Sequence, residues 1–282
     1  MARLLLVLAP RMGETKRMAK PTIRVLHHLA RSGGTLISKC LGSMEGVFLL
    51  SEIHPLTGQV DAAYSRMVEA MNPLRQAIEW HRLPTEHDLR KLGKRERVEF
   101  SELLVLLAER AQSRGGTLLV RDWTHLDFIA RPFLPEPTFR LTTAEVLREV
   151  AEVESHITVR HPVDQLVSLS KLGVMQGSWD LREYFYAYRV FAELAREVGF
   201  TRYEDFTRDP DGHLRRMCAA LALPFDPGYA DRWPDYRKIT GDNSTFRTIQ
   251  PVHHKELEPE QMEKIRALPD YQQAVALFGY EA

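Results

Sequence analysis

The stretch TIRVLHHLARSGGTLISKCLG, residues 22–42, decides the reading of this chain. Ile23, Val25, Leu26 and Leu29 make a short apolar run over residues 23–29 that stops at Gly33 and Gly34, which predicts a buried strand. A helix is expected to follow from Thr35 to Ser43. A strand, a glycine turn and a helix start bind phosphate because backbone N–H groups and the helix dipole converge on one anion, and glycine lets the backbone come close. The Gly-Lys-Ser/Thr ending of an ATP or GTP loop is missing. Arg31 offers a planar cation instead, and Ser32 and Thr35 offer hydroxyl donors. Ser-Gly-Gly-Thr also fits a plain helix cap with no ligand, so on these residues alone both readings stand.

Further along the chain, GVFLLSE (46–52) reads as a second strand ending on Glu52, and TLLVRDW (117–123) as a third. SHITVRHP (155–162) is expected to be a fourth, with Pro162 opening the next helix, and FTRYEDF (200–206) a fifth. Residues 61–112 carry apolar side chains at helical spacing, broken at Pro73 and Pro84. The Pro-rich RPFLPEPTF (131–139) is expected to be a surface loop. Short apolar strands alternating with helices predict an α/β fold, a parallel β-sheet flanked by helices on both faces. Ligands of such sheets sit at the carboxyl ends of the strands, so Arg31 to Thr35, Glu52, Arg121 to His125 and Arg160 should share one rim.

The 282 residues suit one domain, 21–282, behind a loose leader over residues 1–20, with Met18 a second candidate start. The apolar run after Arg3 is too short to span a membrane. Basic and acidic side chains number 38 each, so no whole-molecule field draws the chain to nucleic acid or an anionic surface, and any anion site must be local. Cys40 and Cys218 are too few for a disulfide framework and lack metal-ligand spacing, which points to a reducing, cytoplasmic compartment.

TVRHPVDQLVSLSK (158–171) contains a second anion anchor. Arg160 stands at a strand end and Ser168 two helical turns past Pro162, where both can face one phosphate. Arg160 alone fits a surface ion pair as well. Asp122 is the one residue that can be argued as a magnesium-holding acid, and the loop has no Lys-Ser/Thr pair to accompany it.

RSGGT, VRHPVDQLVS, TRYEDFTRDPDGHLRRMCAALALPFD and RKITGDN follow one another in the order and approximate spacing of the sulfotransferase family, and the resemblance spans about residues 22–280. It implies a P-loop NTPase-like sulfotransferase fold. The implied activity moves the sulfuryl group of 3′-phosphoadenosine 5′-phosphosulfate (PAPS) to a hydroxyl on a carbohydrate, lipid or small metabolite, releases 3′,5′-adenosine bisphosphate, and uses no metal. By the same resemblance Arg31, Ser32, Gly33, Gly34 and Thr35 hold the 5′-phosphosulfate, Arg160 and Ser168 the 3′-phosphate, and Tyr203 lies near the adenine. Arg237, Lys238 and Gly241 resemble the late segment that closes over the 3′-phosphate, although in the family's cytosolic members Gly directly follows the Arg-Lys pair.

Sulfuryl transfer needs a base for the acceptor proton and cations for the developing charge, and Arg31 suits the second role. For the base, Glu52 stands at the spacing from Arg31 found in the Golgi and tyrosylprotein branches of the family. His125 stands near the place of the cytosolic members' histidine, and His54 is a third candidate. A glutamate needs burial to raise its pKa, whereas a histidine needs no such tuning. The segment 61–97, with Met67, Met71 and Trp80, and the loop after His125 would contact the acceptor by this resemblance, while helical spacing reads the same side chains as core. His27, His28, His253 and His254 show no metal-ligand spacing and read as structural or surface residues. Two rival functions are a magnesium-dependent small-molecule kinase or NTPase and a nucleotide-binding module without turnover.

Overall fold

Five strands, β1 (Thr22–His28), β2 (Val47–Ile53), β3 (Thr117–Asp122), β4 (Glu152–Val159) and β5 (Phe200–Arg202), pair in parallel in the order β2-β3-β1-β4-β5. The computed structural model describes residues 20–281 apart from 176, 178, 179, 243, 253, 255 and 256. Of the expected leader, residues 1–19 lie outside the described residues, as does His253.

The strands β1, β2 and β3 and the second half of β4 are buried on both faces, since successive side chains point to opposite sides. Leu26, Leu49 and Leu119 pack against one helical layer, formed by α1 (Gly34–Gly42), α10 (Tyr203–Arg208), α11 (Pro210–Ala220) and α12 (Tyr229–Arg232). Their neighbours Val25, Leu50, Leu118 and Val120 face α5 (Phe100–Ser113) and α7 (Thr142–Arg148). A third cluster buries Ile157 and Val159 of β4 against α6 (His125–Phe128), α9 (Leu181–Val198) and α14 (Pro269–Phe278). The remaining helices are α2 (Ser65–Ala70), α3 (Pro73–Gln76), α4 (Glu86–Leu92), α8 (Pro162–Leu169) and α13 (Pro259–Arg266). Among the described residues no helix is long and apolar enough to cross a membrane.

The strand order turns around between β1 and β4: from β1 the chain moves to one side of the sheet, and from β4 to the other. Such a reversal opens a crevice at the carboxyl ends of the two strands, where their following loops diverge. The loops concerned carry Arg31 and Arg160.

Two expectations need correction. The fifth strand stops at Arg202, and Tyr203 to Arg208 form helix α10 instead of continuing it. Glu204 and Asp205 supply the acidic first turn that a helix N-terminus favours. In the segment 131–139, Phe133 and Leu134 are buried in the third cluster, because an aromatic and a leucine gain more from burial than the prolines lose.

Candidate functional site

The glycine loop takes a tight path that its sequence explains. Arg31 and Gly33 both have positive φ, 69° and 83°, and α1 begins directly after them. A Cβ on Gly33 would lie 2.0 Å from the Tyr203 ring, so this glycine is needed both for its backbone angle and for close approach. Gly33→Ala should therefore displace Tyr203 and lower stability by about 1–3 kcal/mol, measured as a shifted denaturant midpoint. Ser32 Oγ is buried without a partner, an orphan hydroxyl at the mouth of the helix.

The second anchor assembles around the same loop, with partners other than those expected. Arg31 Nε donates to Ser168 Oγ at 3.0 Å, and Arg160 Nη1 reaches the Arg31 carbonyl at 3.3 Å. The Arg160 guanidinium lies over the Tyr203 ring, 5.4 Å from its centre, and its Nε is buried with no hydrogen-bond partner. Arg31, Arg160, Ser168 and Tyr203 thus meet in the crevice between β1 and β4. Arg31 is directed at Ser168 rather than at the far side of the loop.

That far side is occupied by Arg121, a residue that reading the sequence placed on the rim without a role. Its guanidinium is almost fully buried and donates to Thr35 Oγ1 (2.9 Å), Ser51 Oγ (3.0 Å), the Thr240 carbonyl (3.1 Å) and His28 Nε2 (3.1 Å). It also lies 3.3 Å from the Glu52 carboxylate. Burial lowers its pKa, while Glu52 and Asp242 counter the effect. The His28 ring is held neutral, its pKa pushed well below 6.5 by burial and then by Arg121.

Glu52 sits at an irregularity in the β2–β3 ladder, where the register shifts between Ser51 and Ile53, with φ at 57°. The bulge turns a side chain out of the sheet toward Arg121. Thr240 Oγ1 donates to Glu52 at 2.6 Å. Ser51 Oγ accepts from the Thr240 N–H (3.1 Å) and from Arg121, so its own proton goes to Thr240 Oγ1, 2.8 Å away. A directed chain, Ser51 to Thr240 to Glu52, results. Gly241 follows with φ 67°, and a Cβ there would stand 3.5 Å from the carboxylate oxygens. Lys39 of α1, itself buried, fixes this strap by an ion pair with Asp242 at 2.7 Å.

Arg237 and Lys238 do not join the Arg160 cluster: both are exposed, and Arg237 donates to the Pro234 and Tyr236 carbonyls. The part of RKITGDN that reaches the site is Thr240 to Asp242.

The His125 ring is buried, lies edge-on to Phe133, and has no partner at either nitrogen. Burial alone pushes its pKa to about 3, which leaves it neutral. His54 Nε2 bonds to Asp127 at 3.1 Å while its Nδ1 accepts from the Leu56 N–H, so both sides of that ring are engaged. Asp122 is engaged as well: it accepts from His27 (2.7 Å), Thr124 (2.7 Å) and Thr143 (2.6 Å). Despite burial, which raises it, the His27 contact brings the Asp122 pKa down to about 2. Met71 is core, whereas Met67 and Trp80 are half-buried.

No protein-family model matches the chain, and no curated protein does. Solved structures match. A sulfotransferase domain from the Synechococcus PCC 7002 olefin synthase is 21% identical, with 96% of this chain and 100% of that one covered, at a TM-score of 0.60. A sulfotransferase domain from the curacin biosynthetic pathway is 17% identical, with 93% of this chain and 99% of that one covered, at a TM-score of 0.59. The fold is that of a sulfotransferase domain.

Proposed function

We propose that this chain is a sulfotransferase that moves the sulfuryl group of PAPS to a hydroxyl acceptor and releases 3′,5′-adenosine bisphosphate. The observation that carries the reading is Arg121, a buried guanidinium bridging Thr35 of the phosphate loop and Glu52. It puts a fixed positive charge beside a loop that lacks the lysine a kinase pairs with magnesium.

The residues present fit the nucleotide. Ser32 Oγ and Arg160 Nε are buried donors without partners, and the loop backbone is open enough for an anion only because Gly33 lacks a side chain. Arg31, Ser32, Gly33, Gly34 and Thr35 hold the 5′ end, and Arg160 and Ser168 hold the 3′-phosphate, with Tyr203 beside the base. Arg237 and Lys238 reach the 3′-phosphate only if the strap moves. PAPS supplies an activated sulfuryl group on a phosphate leaving group. Arg31 stabilises charge on the departing side through its guanidinium, while Arg121, whose donors are taken by His28, Ser51, Thr240, Thr35 and Glu52, adds a fixed charge and holds Thr35 and Glu52 in place. Glu52 takes the acceptor's proton, and Thr240 and Arg121 hold its carboxylate in one orientation.

The acceptor is a small molecule, carbohydrate or lipid hydroxyl, the chain acts as one domain, and the two buried free cysteines suit a cytoplasmic setting. The kinase alternative is weaker because Asp122 already accepts from three donors. The test is transfer of label from ³⁵S-PAPS to a panel of hydroxyl acceptors in the presence of EDTA. Labelled product with equimolar adenosine bisphosphate supports the reading. Transfer from ATP that stops on chelation would overturn it.

A further inference from the structure

Around the corner from the transfer site, the turn after β4 meets the chain ahead of α13. His161 and Asp164, three residues apart at the start of α8, face His254 from ninety residues later. One donor atom from each lies within 4.8 Å of the others. The two imidazole rings stand 5.0 Å apart at 70°, and all three residues line a cavity of about 640 Å³.

We propose that His161 Nδ1, an Asp164 carboxylate oxygen and His254 Nδ1 form a binding site for a divalent transition-metal ion, zinc by choice of ligands. The key atom is His161 Nδ1, which is buried and has no hydrogen-bond partner. The same ring hydrogen-bonds the backbone of Glu281, which with Nδ1 unpartnered makes Nε2 the donor. This is the arrangement of a metal-binding histidine: the far nitrogen is anchored on the main chain and the near one offers its lone pair.

Asp164 is nearly fully buried, and a carboxylate has lone pairs for more than one partner. His254, with 61% of its side chain exposed, forms the open side by which an ion enters. Without an ion, His254 Nδ1 donates to Asp164 at 2.9 Å. Donors on a tetrahedral zinc lie about 3.3 Å apart, given bonds of about 2.0 Å, so a short movement of His254 closes the set. The ion then takes the place of the proton on His254 Nδ1, which passes to Nε2 as the ring changes tautomer. Two nitrogens and one oxygen favour zinc over magnesium or calcium, and water fills the fourth position. A second buried group, His54, Asp122 and Asp127, is as tightly spaced but has hydrogen-bond partners on every residue, so it carries no such proposal.

An ion here would clip the chain between Gly241 and α13 onto the turn that carries Arg160, the residue next to His161. The proposal is independent of the transfer reaction. It is tested by calorimetric titration of zinc chloride into the tag-free, chelator-stripped full chain at pH 7. One ion per chain should bind, and cobalt should give a four-coordinate visible spectrum. His254→Ala and Asp164→Asn should each weaken binding by at least about a hundredfold, while His87→Ala, at an exposed histidine of α4, should bind as the parent does. Absence of stoichiometric binding, or unchanged affinity in His254→Ala, would overturn the proposal.

Discussion

Glu52→Gln is expected to slow sulfuryl transfer by about 100- to 10,000-fold and to leave affinity for 3′,5′-adenosine bisphosphate within about twofold. The amide keeps the shape and still accepts from Thr240, but it can no longer take the acceptor's proton. It lies across the phosphate loop from Arg160 and Ser168, so nucleotide contacts survive. The matching arm is His125→Leu. That ring has no partner at either nitrogen, and leucine suits its surroundings, so turnover should persist. The same change should also alter acid stability. A histidine held at about 3 binds fewer protons in the folded chain than in the unfolded chain, where its pKa is about 6.5. Its native state is therefore fully favoured above pH 6.5 and loses that advantage as pH falls toward 3. His125→Leu should flatten the fall in melting temperature across this window. Collapse of turnover in His125→Leu, with Glu52→Gln active, would move the base to His125.

Arg121→Met should destabilise the fold by about 3–5 kcal/mol, a fall of roughly 6–20 °C in Tm at 2–4 °C per kcal/mol, and abolish transfer. The loss is large because one side chain serves five groups at once. Without it Thr35, Ser51, His28 and the Thr240 carbonyl lose a donor, and Glu52 loses its counter-charge. Arg121→Lys should recover part of the stability and little of the rate, since a single ammonium cannot reach both Thr35 and Ser51 in the geometry of a planar fork. Thermal unfolding and a transfer assay on the two variants check both statements.

The sheet was legible because strands buried on both faces leave short apolar runs, which β1 to β3 carry and β4 shows only at its buried end. β5 was legible in place but not in length, since its three residues run into a helix whose first turn looks like the end of a strand. The turn between β1 and α1 was legible through its glycines, and the positive φ of Gly33 and its close contact with Tyr203 are local demands. The role of Arg121 was hidden because its partners Thr35 and Thr240 stand 86 and 119 residues away. One local signal pointed to it: alternation along β3 puts Arg121 on the same buried face as Leu119, where a charge needs partners. Thr240 had no such signal, because a hydroxyl in a loop becomes meaningful only when Lys39 and Asp242 lay the strap over Glu52. His254 was read as a structural or surface residue and His161 was not singled out, since ligand spacing along the chain does not reveal contacts made by a fold.

The most direct measurement is a thermal-shift titration with 3′,5′-adenosine bisphosphate, set against ATP and GTP with and without magnesium. A ligand at a hundred times its dissociation constant adds about 2.7 kcal/mol to the native state. The account predicts that the bisphosphate alone stabilises the protein, that magnesium adds nothing, and that Arg160→Ala loses most of the shift. Stabilisation by a nucleoside triphosphate only in the presence of magnesium, with no response to the bisphosphate, would contradict it.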